Sequence, residues 1–99
     1  MSTSSVFTNE TLREAVKLFL HNPDEAIRIY GPMKDWNVSG VADMSDLFKD
    51  AKLFNEPIGK WDVSNVTNMA GMFHGAKSFN QPIGHWRTNN VTDMSNMFH

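Results

Sequence analysis

Residues 54–74 read FNEPIGKWDVSNVTNMAGMFH, and residues 79–99 read FNQPIGHWRTNNVTDMSNMFH. Aligned at an offset of 25, the two stretches are identical at 13 of 21 positions. The same period links Trp36, Trp61 and Trp86, then Val41, Val66 and Val91. It also links Met44, Met69 and Met94, and Phe48, Phe73 and Phe98. Recurrence at a fixed period of a few tens of residues marks units that stack because none buries its apolar side alone.

The middle unit sets the local expectation. Pro57 and Gly59 flank Ile58 and mark a bend. Lys60-Trp61-Asp62-Val63 alternates polar and apolar, which predicts a short half-buried strand with Trp61 and Val63 inward. Val66, Met69, Phe73 and Ala76 step by three and four, which predicts a short helix with Thr67 or Asn68 at its start and Gly75 at its end. The expected fold class is therefore an α/β repeat: a short leucine-rich-repeat-like solenoid of 25-residue coils, each with one short strand and one short helix. Its coils run 29–53, 54–78 and 79–99, the last incomplete, after an N-terminal segment 1–28.

That segment predicts one helix over 6–22. Thr8 or Asn9 caps it, and Leu12, Ala15, Val16, Phe19 and Leu20 form a single apolar face. Asn22-Pro23 stops it. Its expected role is to cover the apolar end of the stack.

Composition narrows the function. The 99 residues carry a formal charge of −2 with Lys and Arg scattered, so nucleic acid and anionic membrane are not the expected partners. Cysteine is absent, which excludes disulfides and thiol chemistry. No apolar stretch approaches the ~20 residues of a membrane span. No secretory signal is read in the first residues, which favours a location inside a cell or virion.

The motif Phe-Asn-x-Pro-Ile-Gly-x-Trp, followed by Asn-Val-Thr and Met-x-x-Met-Phe, resembles the BspA-like, leucine-rich-repeat-type surface proteins. That repeat was first described in mycoplasma lipoproteins and also occurs in microbial eukaryotes and large DNA viruses. The resemblance covers residues 29–99. The first coil departs from it at Ile29-Tyr30-Gly31 and Met33, and the last at Arg87-Thr88-Asn89. It implies a surface-displayed adhesion or binding repeat without an enzymatic site.

Several residue sets invite a functional role. The three tryptophans could form a platform for sugars or bases, but they share the strand's core side with Val38 and Val63, so core filling is the better reading. Asn55 and Asn80 suit turn bridging by stacked amides. His74 and His99 lie one period apart, yet two imidazoles without a carboxylate make a poor metal site. Ser39 and Ser64 have no histidine in a matching place, and Asp43 and Asp93 read as helix caps. No catalytic residue, metal or cofactor is expected.

The outer positions are more informative. Asp35, Lys60 and His85 form one column, and Asn37, Asp62 and Arg87 the next. Core positions repeat while these vary, as expected where repeat proteins carry binding specificity. Their charges alternate from unit to unit, so pairing of Asp35 with Lys60 and of Asp62 with Arg87 is an equal alternative. Met94 and Phe98 complete the candidate partner-binding set, on the open side of the last coil. The expected function is a non-catalytic protein-interaction or assembly module that contacts a protein partner or a second copy. The alternative is a surface adhesin for host protein or carbohydrate.

Overall fold

The computed structural model describes residues 6–98, and two helices open it, α1 (Asn9–His21) and α2 (Pro23–Tyr30). The Thr8 hydroxyl accepts the Thr11 N–H while the Thr11 hydroxyl accepts the Thr8 N–H, a reciprocal cap that fixes where α1 begins. Val6 and Phe7, expected inside the helix, are extended instead, and the Phe7 N–H donates to the Asn37 carbonyl at 3.0 Å. Leu12, Ala15, Val16 and Phe19 are buried, whereas Leu20 is exposed.

Pro23 does end α1, but it also starts α2. Proline at a first helical position gives up an N–H that would have had no partner, and the Asn22 side chain accepts the Glu25 N–H at 3.2 Å. Ile29 and Tyr30, read as the opening of the first coil, form the last turn of α2. A 3-10 turn at Met33–Asp35 then leads into Trp36.

The expected α/β repeat solenoid does not form. Among the described residues no helix follows Asp35, and the only extended pairings beyond it are the isolated parallel bridges Asp43–Asn68 and Asn68–Asp93. The molecule is a small globule of 38 × 26 × 23 Å, with turns where strands and helices were expected.

The reason lies in where the backbone donors go. An α-helix sends each N–H to the carbonyl four residues back. Here the N–H groups of Met69, Gly71 and Phe73 leave the segment and donate to the carbonyls of Asp93, Ser95 and Met97 at 2.8–2.9 Å. Those of Met72, His74 and Ala76 close tight turns onto Met69, Gly71 and Phe73. One period earlier, Met44, Asp46, Phe48 and Asp50 donate in the same way to Asn68, Ala70, Met72 and His74.

Left-handed residues enforce this pattern. Asp46, Gly71 and Asn96 have φ of 57°, 66° and 58°, and Asp50 and Gly75 have 60° and 74°. A right-handed helix cannot run through such residues, and Gly, Asn and Asp are the types that adopt them most readily. The expected strand fails for a related reason. Trp61 and Val63 are buried and Lys60 and Asp62 exposed, but the Trp61 N–H turns back onto Ile58 and the Val66 N–H onto Val63. Alternation requires only extended backbone with one side against a core, and a sheet is not implied.

The core consists of aromatic columns that run across the units. Phe48, Phe73 and Phe98 stack at ring-centroid distances of 5.6 and 5.3 Å, and Phe54 stacks on Phe79 at 5.6 Å. Trp36 and Trp61 stack at 6.5 Å, and all three tryptophans are buried. Each indole N–H finds a carbonyl: Trp36 donates to Gly31, Trp61 to Met33 and Trp86 to Ile58. The last two reach back one unit, so Trp61 and Trp86 both fill the core and tie two units together.

Candidate functional site

Two Asx-turn columns shape the outer surface. Asp43, Asn68 and Asp93 each accept the N–H two residues on, at 2.9, 2.9 and 3.0 Å. Asn37 and Asp62 do the same for Ser39 and Ser64, and each also accepts the serine hydroxyl, at 2.7 and 2.6 Å. These bonds stabilise the ionised carboxylates. The Ser45 N–H and hydroxyl hold the Asp43 carboxyl below its ordinary range, as the hydroxyl and N–H of Ser64 do for Asp62. The Ser95 N–H and hydroxyl lower Asp93 likewise.

The candidate binding residues therefore separate into groups. Asn37 and Asp62 are engaged in their own turns and hold the backbone. Asp35 pairs with its neighbour Lys34 at 3.4 Å rather than with Lys60. Arg87 lies near enough to lower Asp62 further, although no ion pair forms between them among the described residues. Lys60, His85 and Arg87 are exposed. Met94 and Phe98 are 44% and 64% exposed, although their period mates Met69 and Phe73 are 0% and 2%.

Around Met94 and Phe98 the backbone is also open. The N–H groups of Met94, Asn96 and Phe98 correspond by period to Met69, Gly71 and Phe73, yet they meet no acceptor among the described residues. The carbonyls of Asn89 and Thr92 correspond to those of Ser64 and Thr67, which accept from the Asn90 side chain and from Thr92; they too meet no donor. Apolar side chains and unpaired backbone thus share one face.

At the opposite end the first unit is covered. The Asn9 side chain accepts the N–H groups of Ala42 and Asp43 at 2.9 and 3.2 Å. Arg13 reaches the Asp43 carbonyl and the Ser45 hydroxyl at 3.4 Å, and Phe19 meets Trp36 edge-on at 6.2 Å.

Some contributors were not singled out from sequence. Asn65 and Asn90 donate from their side chains to the Ser39 and Ser64 carbonyls, both at 2.8 Å, and so clamp unit to unit. The signal was present, because both asparagines precede a Val-Thr pair one period apart. Asn55, which was considered, accepts the Asn80 N–H at 2.8 Å and the Gln81 amide at 3.0 Å. A groove of about 520 Å³ runs between Phe19, Leu20 and Pro23 on one side and residues 49–56 on the other. In it Leu53 is 91% exposed, at a position where the next unit has Ser78.

His99, half of the histidine pair considered for metal, lies outside the described residues. Among those residues no cluster of three metal-ligating side chains occurs, and no helix is long and apolar enough to cross a membrane.

The geometry defines a small protein built of repeated, mutually bonded 25-residue units with one open face. The chain belongs to the family described as Mycoplasma protein of unknown function, DUF285, whose model matches residues 14–99. No curated protein and no solved structure matches it.

Proposed function

We propose that the chain is a non-catalytic protein-interaction or assembly module whose main contact surface is the face carrying Met94 and Phe98. The observation behind this reading is the contrast in exposure within single columns: Phe48, Phe73 and Phe98 are 0%, 2% and 64% exposed. Exposed apolar side chains beside unpaired backbone recruit a protein surface. The test is light scattering over a hundredfold range of concentration. The parent chain should associate as concentration rises, and Met94→Asp with Phe98→Asp should abolish this. Equal association of both proteins would refute the reading.

A second reading draws on the mycoplasma family assignment together with the BspA-like motif. In it the chain is a surface adhesin for host protein or carbohydrate, using Asp35, Lys60, His85 and Arg87 on the outer columns. Lys60→Glu with Arg87→Glu would then abolish binding to host cells while leaving self-association unchanged. Unaltered cell binding would exclude these columns.

A further inference from the structure

Gly59 and Gly84 are period mates, and only one has a local reason to be glycine. A Cβ on Gly59 would collide with the Pro82 carbonyl of the following unit, so the absent side chain lets two backbones meet there. A Cβ on Gly84 would meet nothing within 4 Å, and Gly84 does not have the positive φ that favours glycine. By period, the space over Gly84 corresponds to the place where the Pro82 carbonyl lies against Gly59. The first unit, entered from α2, carries Lys34 at this position.

The polar groups of the same face agree. The middle unit holds the third with donors at Met69, Gly71 and Phe73 and with acceptors at Thr67, Ser64, Ile58 and the Asn55 side chain. Their partners in the third unit are the carbonyls of Asp93, Ser95 and Met97, the N–H of Thr92, the side chain of Asn90, the indole of Trp86 and the N–H of Asn80. The third unit repeats this set with donors at Met94, Asn96 and Phe98 and with carbonyls at Thr92, Asn89 and Ile83.

We infer that the open face receives one further unit of this repeat pattern, running in the same direction and with its own leading edge bare. This deepens the interaction reading above and rests on it. The occupant is a polypeptide carrying Pro-Ile-Gly-x-Trp and Asn-Val-Thr at the spacing found here. It supplies a proline carbonyl to Gly84, an indole N–H to Ile83, an amide to Asn89, and carbonyls to the three free N–H groups. A second copy of this chain can press against the apolar side chains but cannot enter as the next turn. Its leading edge is already occupied by Asn9 and Arg13, which hold the Ala42 and Asp43 N–H groups and the Asp43 carbonyl.

The test uses the full chain, the chain extended after His99 by a second copy of residues 75–99, and both again with Gly84→Ala. In the extended chain, amide exchange at Met94, Asn96 and Phe98 should slow by about tenfold or more as each gains an acceptor. Gly84→Ala should leave the melting temperature of the unextended chain unchanged and remove that protection from the extended one. A peptide of residues 54–78 added in trans should shift the resonances of the same three amides, where a scrambled peptide does not. Unchanged exchange in the extended chain overturns the inference, as does protection that survives Gly84→Ala. If those amides stay unprotected while Met94→Asp and Phe98→Asp still abolish association, the contact face stands and only its occupant was misassigned.

Discussion

The middle unit, residues 54–78, and the third, residues 79–98, carry nearly the same residues in different surroundings. Met69 and Phe73 are 0% and 2% exposed, whereas Met94 and Phe98 are 44% and 64%. Trp61 and Trp86 are both buried, and both donate their indole N–H to the preceding unit. The third unit is thus complete towards its predecessor and open on its other side. Burial here belongs to the contact between neighbouring units, and a residue's type alone does not set it.

The sharpest way to break this comparison is at the phenylalanine column. Phe73→Ala should cost about 3–5 kcal/mol, because it leaves a cavity with Phe48, Phe79 and Phe98 around it. Phe98→Ala should cost about 1 kcal/mol or less, since among the described residues its ring stacks on Phe73 alone. Thermal melts of the two variants check both values, and equal losses would mean that the third unit is as well covered as the second.

Next in size is the glycine pair. Gly59→Ala forces a methyl group against the Pro82 carbonyl and should cost about 1–3 kcal/mol by denaturant titration. Gly84→Ala should fall within about 0.5 kcal/mol of the parent.

The amide clamps should not distinguish the units. Asn65→Ala and Asn90→Ala each remove one bond to the unit behind, so each should cost about 0.5–1.5 kcal/mol. A much smaller effect at Asn90 would show that the third unit is held loosely on both sides.

The smallest effect is the response to acid. Asp43, Asp62 and Asp93 have lowered carboxyl pKa values because serine N–H and hydroxyl groups donate to them. Their contribution to stability is fully present above the ordinary carboxylate range near ~4 and is lost as pH falls through the lowered values. Asn68 and Asn37 make the same turns without charge. Asp43→Asn, Asp62→Asn and Asp93→Asn together should therefore keep the fold at neutral pH and flatten the fall in melting temperature as pH drops below the ordinary carboxylate range.

The period, the inward set Trp61, Val63, Val66, Met69 and Phe73, and the helical face around Val16 were all legible in the sequence. Each follows from apolar spacing, which reports what faces the core. Spacing does not report hydrogen-bond partners, and the structure departs from expectation where those partners decide the backbone. Val66, Met69, Phe73 and Ala76 fit a helix stripe, but Gly71 lies in its middle, with Asp46 and Asn96 one period to either side. Those are the three residue types that best tolerate a left-handed backbone, and reading the column rather than the row would have exposed the break. Pro23 reads as a stop, and a proline after Asn and before Asp-Glu also starts helices, as it does for α2. On the outer columns Asn37 and Asp62 looked free to bind because sequence does not show that the serines two residues on already engage them.

Native-state hydrogen exchange, resolved residue by residue, reads the difference between the second and third units amide by amide. Exchange should be slow at Met69, Gly71 and Phe73, whose N–H groups donate to Asp93, Ser95 and Met97. Exchange at Met94, Asn96 and Phe98 should be faster by about tenfold or more, because these amides meet no acceptor among the described residues. If all six are equally protected in the parent chain at low concentration, the third unit has no open face and no contact surface there.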